Sequence, residues 1–424
     1  MQPPSSRFLR NNAPWLAAGF LLSFSSSYGQ TYFISLFAGE IMAEFGLSHA
    51  QWSSIFGIGT LGSAGLLVLA GGITDRYRVR ALGTAIMVGL ALACFAMAAV
   101  PSAWALLPVI FLLRFTGQGM CGQMANVAMG RWFVANRGIA LAVATLGFAL
   151  AESLLPIVFV SLLGSTPWRL LWVIAAGLAL LAIPLLFMLL QSERTPQGLS
   201  DDMHSPGMQG RHWTRAEVLR HPLFLAALPL ILGPAAFATA MFFHQVHLSD
   251  AKGWSHLQFV ALFPLYTLLT VGGMIGSGLL IDRFGTGRLM HLYQIPLILA
   301  FLTMGWSDTI AGGAIAMALL GFGQGMGTTL PTAFLAEYFG TRHLGAIRAM
   351  ATGTMVLGTA LGPVITGSLI DSGWRFDQQM PLIAIYFAAT SLLIRLGLRR
   401  IHYQPGMQTD DANITFSPPF VERE

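Results

Sequence analysis

Two ionisable residues, Arg114 and Glu152, lie deep inside long apolar stretches of the sequence. A charged side chain within hydrocarbon is unfavourable and usually faces a polar cavity or an opposite charge. The guanidinium of Arg114 can bind a carboxylate through two parallel hydrogen bonds, a geometry that suits arginine better than lysine. Glu152 can neutralise Arg114 when it is ionised and release it when it is protonated. The pair therefore predicts a site for an anion whose binding is linked to a proton.

The elements that hold this pair are predicted to be membrane-spanning helices. Hydrophobic residues make up 55% of the 424 residues and charged residues 10%, against roughly 25% charged in soluble proteins. A helix needs about 20 apolar residues to cross the bilayer, and the apolar runs are continuous rather than alternating, which disfavours barrel strands. Runs of this length lie near residues 14–38, 52–74, 81–101, 104–130, 138–163, 168–190, 222–247, 256–281, 289–307, 310–336, 344–370 and 379–398. The predicted fold class is an all-α membrane protein of twelve transmembrane helices in two six-helix bundles.

A polar segment divides the predicted spans into two sets. We expect an N-terminal six-helix bundle over residues 1–190, a cytoplasmic linker over 191–221, a C-terminal six-helix bundle over 222–403 and a cytoplasmic tail over 404–424. Of the 23 basic residues, 19 fall on one predicted side of the membrane. The exceptions are Arg169, Lys252 and Arg375 on the other side and Arg114 within a span. Because basic residues are enriched in cytoplasmic loops, both termini are predicted to be cytoplasmic. We expect a multi-pass plasma membrane protein, with a bacterial inner membrane as its location.

The two sets of spans are copies of each other. At an offset of 206–207 residues, short motifs recur in the same order: Ser48–Gln51 as Ser255–Gln258, Asp75-Arg76 as Asp282-Arg283, Gly117–Met120 as Gly323–Met326, and Trp168-Arg169 as Trp374-Arg375. The offset aligns Arg114 with Leu320 and Glu152 with Gly358. What both copies share is predicted to be scaffold, whereas the charged pair, found in one copy, is a candidate site. A fixed ion pair that braces two helices is the structural alternative.

Both charges are predicted to lie at similar depth on consecutive helices. Arg114 precedes Arg131 by 17 residues and Glu152 follows Arg137 by 15, which places each about 22–26 Å from the inner surface. A salt bridge between them is geometrically plausible. Mid-span polar residues are further candidates for contacts to a bound molecule: Gln118, Tyr28, Gln30, Tyr32, Tyr266 and Gln324. Tight packing of small and polar side chains between helices is the alternative for these residues.

Two segments carry a resemblance to a known family. The loop Gly71–Arg80, with Asp75-Arg76 at its centre, resembles the loop signature of the major facilitator superfamily, and Arg114–Gly119 resembles the arginine motif in that family's fourth helix. Parallel six-helix repeats with a site at their interface are also a property of that family. The resemblance implies a conformational latch between the halves, formed by Gly71, Asp75, Arg76, Asp282 and Arg283.

A narrower resemblance concerns the loop before the fifth span. Trp132-Phe133 followed by Arg137–Ala140 partly resembles the monocarboxylate porter and oxalate/formate-type branch. It implies a secondary active transporter that carries a small, monocarboxylate-like organic anion by alternating access, coupled to a proton. In this interpretation Glu152 couples the proton, and Arg114 with the polar candidates binds the substrate. An efflux antiporter of drugs or metabolites and a non-transporting membrane sensor are the alternatives.

Other function classes are disfavoured by what the spans contain. Cys94 and Cys121 lie in apolar runs and indicate neither a disulfide framework nor a metal site. We expect no enzyme activity, no cofactor and no metal. The net charge of +5 is spread over short loops, so nucleic acid is not an expected partner. The expected partners are a small anionic substrate, a proton and the lipid bilayer, and a monomer is expected because one chain holds both halves.

Overall fold

The computed structural model describes residues 6–70, 73, 77–133, 137–191 and 206–402. Within these ranges the chain is helical apart from turns and short connections, and it contains no β-strand. Ten helices of the described chain are long and apolar enough to cross a membrane. The first two predicted spans correspond to an interrupted helix and to His49–Ala70. The predicted all-α architecture of transmembrane helices is confirmed.

The membrane helices are labelled α1–α12 in chain order. α1 consists of Ala13–Ser25, Ser26–Gly29, Thr31–Ile34, Ser35–Phe37 and Ala38–Phe45. The first half continues with α2 His49–Ala70, α3 Val79–Ala98, α4 Ala103–Trp132, α5 Arg137–Leu163 and α6 Trp168–Leu189. The second half contains α7 Pro222–Phe243, α8 His256–Phe284, α9 Thr286–Trp306, α10 Ile310–Phe339, α11 Leu344–Asp371 and α12 Phe376–His402. A short helix, Gln245–Lys252, follows α7.

α1 is predicted from the sequence as one continuous span, but the helix is interrupted near its middle. Residues Ser26–Gly29 form a 3-10 turn, and Gln30 takes an extended backbone with φ −83° and ψ 152°. Ser26 Oγ donates to Ser23 O at 2.6 Å. Such side-chain bonds compete with the helical ladder. The serine residues in the middle of α1 therefore favour the break.

α4 is irregular at the corresponding level. Residues Arg114–Cys121 form a π-helical segment, and π-helical turns inside α-helices are frequent at functional sites. Pro108 lies in the preceding turns and cannot donate to the helical ladder. The π segment packs on the 3-10 turn of α1, so the irregular parts of the two helices face each other.

The helix bundle has two different ends. At the end called here the linker end, residues that follow the first half pack on α10, where Trp213 N donates to Phe339 O at 3.1 Å. The opposite, distal end carries the turns between α1 and α2 and between α11 and α12. The halves touch through α2 and α11, α1 and α7, and α5 and α8.

The hydrogen bonds that join described residues of the two halves lie between the middle of the helices and the distal end. Asp371 in α11 accepts from His49 N at 3.0 Å and from Ala50 N at 2.9 Å. Ser35 Oγ in α1 donates to Phe242 O in α7 at 2.6 Å. The interface between the halves is therefore closed toward the distal end.

Candidate functional site

Arg114 is the first residue of the π-helical segment of α4 and is 1% exposed. Its Nη1 donates to Gly29 O and to Thr31 Oγ1, each at 3.2 Å. The Gly29 carbonyl is available because α1 is broken there, and the amide of Phe33 bonds to Gln30 O instead. A helix end leaves such carbonyls without partners. Arg114 therefore fills a bonding position that the break in α1 creates.

Two glycines allow the break in α1 to meet the π segment of α4. A Cβ atom on Gly29 would come 2.1 Å from Leu113 O, and one on Gly117 would come 2.7 Å from the Cα of Gly29. Closely packed interiors leave no room for such an atom. The crossing of the two backbones requires glycine at both positions, and it brings Arg114 within reach of the α1 main chain.

The guanidinium of Arg114 is not fully paired. Its Nε and Nη2 are buried without a hydrogen-bond partner among the described residues. Its Cζ lies 5.0 Å from the ring centroid of Phe56 in α2. A buried charge with unused donors is unfavourable, and a carboxylate or phosphate would satisfy both nitrogens at once.

Glu152 lies in α5 and is 7% exposed, but it does not pair with Arg114. Its Oε2 accepts a hydrogen bond from Thr267 Oγ1 of α8 at 3.0 Å. The plausible salt bridge between α4 and α5 is absent from this conformation, because Arg114 reaches back to α1 while Glu152 reaches across to the second half. Thr267 was not among the predicted site residues. Its place next to Tyr266, in the middle of a span, is the signal that could have identified it.

Three predicted site residues, Tyr32, Glu152 and Tyr266, are brought together. Glu152 accepts its hydrogen bond from Thr267, the residue after Tyr266, and it lies one helical turn beyond Phe148, which contacts Tyr32. The Tyr32 ring packs edge-on against Phe148, with centroids 6.0 Å apart, and the Tyr266 ring against Phe242, with centroids 5.0 Å apart. Helices α1, α5 and α8 therefore meet at this cluster.

Gln245, which is also not among the predicted site residues, joins the two halves beside Tyr32. Its buried Nε2 donates to Tyr32 O at 3.0 Å and to Ser35 Oγ at 2.8 Å. Its Oε1 lies 3.3 Å from His256 Nε2. A glutamine just beyond an apolar run is a weak signal, because in sequence it resembles a side chain hydrated at the membrane interface.

A polar cavity of about 310 Å³ lies between α1, α4 and α5, from the break in α1 toward the linker end. Its polar lining consists of neutral side chains, namely Ser23, Ser26, Gln30, Gln118, Gln123, Asn126 and Thr145. Asn126 and Thr145 are exposed at this level. Polar groups in the membrane are placed toward water-filled space rather than lipid, so we regard the cavity as aqueous. The predicted residues Gln30 and Gln118 both line it.

The lining does not include the other predicted residues: Arg114, Glu152, Tyr28, Tyr32, Tyr266 and Gln324. The Tyr28 ring is 2% exposed and packs edge-on against Phe33, with centroids 5.4 Å apart. Gln324 Nε2 donates to Pro234 O within the second half at 2.9 Å. Both side chains are engaged in the packing of their own half.

The structure describes two of the five residues of the predicted latch, Asp282 and Arg283. Gly71, Asp75 and Arg76 lie outside the described residues. Asp282 and Arg283 are exposed at the linker end of α8, where Arg283 Cζ lies 5.3 Å from the ring centroid of Phe284. The latch stays a prediction.

The positions that the internal repeat aligns with the charged pair hold no polar side chain. Leu320 is fully buried. Gly358 faces α7, where a Cβ atom would come 2.8 Å from Leu232 O. The second half contributes to the cluster through neutral groups, such as Thr267 and Gln245, and the two charges come from the first half.

Comparison with known sequences gives the family. The chain matches the Major Facilitator Superfamily over residues 19–363. It is 24% identical over 359 residues to an uncharacterized MFS-type transporter of Escherichia coli, YhjX, an alignment that covers 82% of this chain and 86% of that protein. It is 31% identical over 202 residues to the human glucose-6-phosphate exchanger SLC37A1, covering 44% of this chain and only 36% of that protein.

The fold agrees with that assignment. A bacterial homolog of the human lysosomal transporter Spinster, solved in an inward-facing and occupied conformation, superposes with a TM-score of 0.67 at 17% identity, over 95% of this chain and 100% of that one. These relatives do not support the narrower resemblance to the monocarboxylate porter and oxalate/formate-type branch. The loop that suggested it has Ala135 and Asn136 where that branch has basic residues. The family match covers most of the chain, and the protein belongs to the Major Facilitator Superfamily of membrane transporters.

Proposed function

We propose that this transporter carries a small organic anion with a carboxylate at its charged end, in symport with a proton. The observation that carries the proposal is the buried guanidinium of Arg114, whose Nε and Nη2 lack partners in the described chain. An arginine inside the membrane requires a compensating anion, and its planar fork binds a carboxylate through two parallel bonds. Gln118, four residues further along α4, and Gln30 of α1 would orient the rest of the substrate.

Glu152 is the proposed proton carrier. When Glu152 is ionised and no substrate is bound, its charge balances that of Arg114. When a substrate carboxylate binds Arg114, a proton on Glu152 restores the same balance. Both states avoid an uncompensated charge inside the membrane, which is strongly unfavourable. Because Thr267 bonds Glu152 across the interface, protonation would also change how α5 meets α8.

Alternating access is supported by the asymmetry of the interface. The halves are joined toward the distal end by Asp371 and Ser35, whereas the polar cavity lies nearer the linker end. We infer that this conformation is open to the cytoplasm. Rocking of one half against the other around the central cluster would then open the distal end.

The distribution of charge supports cytoplasmic termini. At the distal end each basic residue has an acidic partner: Arg169 with Glu44 at 2.6 Å, Lys252 with Asp308 at 3.0 Å and Arg375 with Asp377 at 2.8 Å. Cytoplasmic loops carry the excess of basic residues, so the distal end is assigned to the outside. We propose a monomer in a plasma membrane, as in a bacterial inner membrane.

A hydroxylated substrate suits the polar cavity better than a plain hydrocarbon chain. Its lining amides and hydroxyls can pair with substrate hydroxyls, and sites built for such bonds strongly reject analogues that lack them. The human relative is named for glucose 6-phosphate, which is also a hydroxylated anion. We therefore place gluconate and lactate ahead of acetate as substrates.

Uptake into proteoliposomes tests the proposal. Labelled gluconate, lactate, acetate and glucose would be supplied with and without an inward proton gradient. We expect gradient-stimulated uptake of gluconate and lactate and no uptake of glucose. Arg114→Gln should abolish anion uptake. The control is Arg348→Gln, at an exposed position near the start of α11 at the linker end, and it should retain uptake. Uptake of glucose equal to that of gluconate, or uptake of no anion, would contradict the proposal.

A further inference from the structure

A second cavity, of about 690 Å³, opens at the linker end of the second half. It lies between the connection from α8 to α9, the end of α10 and the end of α12. The lining residues that matter here are Arg288, His291, Glu337, Tyr338, Arg395 and Arg399. The cavity lies apart from Arg114 and Glu152, so a ligand bound in it is independent of the proposed function.

Three arginines share this cavity. Arg395 and Arg399 are four residues apart on α12 and therefore lie on one face of the helix, and Arg288 faces them from α9. None of the three is joined by a hydrogen bond or ion pair to another residue that the structure describes. Each exposes a planar set of N–H donors that suits a phosphate group.

The acidic side chain of the lining does not neutralise these arginines. Glu337 Oε2 accepts hydrogen bonds from Thr286 Oγ1 at 2.6 Å and from Thr286 N at 3.3 Å. Its bonding capacity is thus partly used within the protein. With three arginines against one engaged carboxylate, the cavity favours an anion.

The cavity adjoins an apolar surface of α12. Leu392, Leu393 and Leu396 are 55%, 45% and 47% exposed. On a membrane-spanning helix such a surface contacts acyl chains, and the arginines near the helix end lie where lipid headgroups are found. A ligand with both an anionic group and acyl chains would cover the two surfaces together.

We propose that this cavity binds the phosphate group of an anionic phospholipid, whose acyl chains lie along Leu392 and Leu396. Basic pockets between transmembrane helices on the cytoplasmic side are suited to such headgroups. The bound lipid connects α12 with the start of α9 through Arg288. A soluble phosphate compound offers the same headgroup chemistry but leaves the leucines uncovered.

Native mass spectrometry of the full-length protein tests the assignment. The protein would be titrated with phosphatidylglycerol, with phosphatidylcholine of the same acyl chains, and with glycerol 1-phosphate. We expect phosphatidylglycerol to bind at least about fivefold more tightly than phosphatidylcholine, as expected for about one to two arginine contacts at a membrane surface. Glycerol 1-phosphate is expected to bind more weakly than the lipid.

Variants that remove positive or negative charge from the cavity should have opposite effects on lipid binding. Arg395→Gln with Arg399→Gln should remove the preference for phosphatidylglycerol, whereas Glu337→Gln, which keeps an acceptor for Thr286, should strengthen it. The control is Arg342→Gln with Arg348→Gln, which makes the same change of charge at the linker end outside the cavity and should keep the preference. All four arginines are exposed, so neither double variant removes a buried contact.

Three results would overturn the proposal. The first is equal binding of the two lipids by the unmodified protein. The second is an undiminished preference in the Arg395→Gln/Arg399→Gln protein. The third is glycerol 1-phosphate binding as tightly as phosphatidylglycerol, which would identify the ligand as a soluble phosphate compound instead of a lipid.

Discussion

The carboxylate of Asp371, at the end of α11, accepts hydrogen bonds from the amides of His49 and Ala50 at the start of α2. The first amides of a helix have no partner in their own helix, and the positive end of the helix dipole favours a carboxylate. One half of the protein therefore caps a helix of the other. The internal repeat places Gly164 or Ser165 at the corresponding position of the first half, so this lock has no acidic counterpart there.

Replacing the cap should open the distal end. Loss of a helix cap costs about 1 kcal/mol, so Asp371→Ala should raise the distal-open population about fivefold relative to the closed one. Spin labels at Ser102 and Ser372, on exposed turns of the two halves, would report this as a larger share of long distances. Asp308→Ala removes a distal carboxylate bonded within its own half and should leave the distances unchanged. An unaltered distribution in Asp371→Ala would mean that the cap does not hold the interface.

The crossing of α1 and α4 should be intolerant of a methyl group. Gly29→Ala places its Cβ 2.1 Å from Leu113 O, and overpacking of this kind costs about 1–3 kcal/mol. We expect a lower melting temperature in detergent. Gly122→Ala, in α4 on the other side of the crossing, has no atom within 4 Å of its Cβ; it is the control and should melt no lower than the unmodified protein. Equal melting of both variants would contradict the crossing.

Removing the charge of Glu152 should abolish proton-driven accumulation of the anion but not the exchange of anion across the membrane. Glu152→Gln keeps an oxygen that can accept from Thr267, but it cannot be ionised. We expect anion exchange between the two sides to persist while stimulation by a proton gradient disappears. Glu44→Gln, at the distal surface, should keep that stimulation. A Glu152→Gln protein that still responds to the gradient would rule out this residue as the proton carrier.

Arg114→Lys should weaken anion binding while retaining the positive charge. An ammonium group cannot form the two parallel bonds of a guanidinium, so we expect the half-saturation concentration for the anion to rise at least tenfold, or about 1.4 kcal/mol. Counterflow at varied substrate concentration measures it, with Arg348→Lys as the control. If half-saturation is unchanged and only the melting temperature falls, Arg114 merely braces α1 and α4.

The ion pair between Glu44 and Arg169 at the distal end predicts that the stability of the protein depends on pH. Hydrogen bonds from Arg169 hold the pKa of Glu44 below its ordinary value of 4.5. A lowered pKa in the folded state means that the stabilisation is present above the ordinary pKa and is lost as the pH falls through the lowered one. The melting temperature of the unmodified protein should therefore exceed that of Glu44→Gln at neutral pH, and the difference should shrink in acid. A difference that is the same at both ends of the range would exclude this contribution.

The sequence predicts the helices and their division into two similar halves, because continuous hydrophobicity and a recurring order of motifs are both visible in a single sequence. It also identifies residues that the structure places together, among them Tyr32, Glu152 and Tyr266. It does not predict the break in α1 or the π segment of α4, because hydropathy is the same for regular and irregular helices. Arg114 therefore has a partner that sequence reasoning could not anticipate, the carbonyl of Gly29.

Contacts between the halves are hard to predict for another reason. Thr267, Gln245 and Asp371 bond across an interface that a transporter makes and breaks during its cycle. Which residues meet depends on the conformation, and a single sequence encodes all of the conformations at once. Depth along the helices places Glu152 near the level of Arg114, but it does not show that Glu152 turns toward α8.

Gly358 has a consequence for the history of the two halves. If they descend from the duplication of one six-helix unit, a carboxylate at position 358 would restore symmetry with Glu152. The packing of α7 opposes such a substitution, because the new Cβ atom would come 2.8 Å from the carbonyl oxygen of Leu232. Helix α7 would have to shift for the acid to be accommodated. The packing of α7 on α11 therefore disfavours a symmetric pair of carboxylates in the two halves.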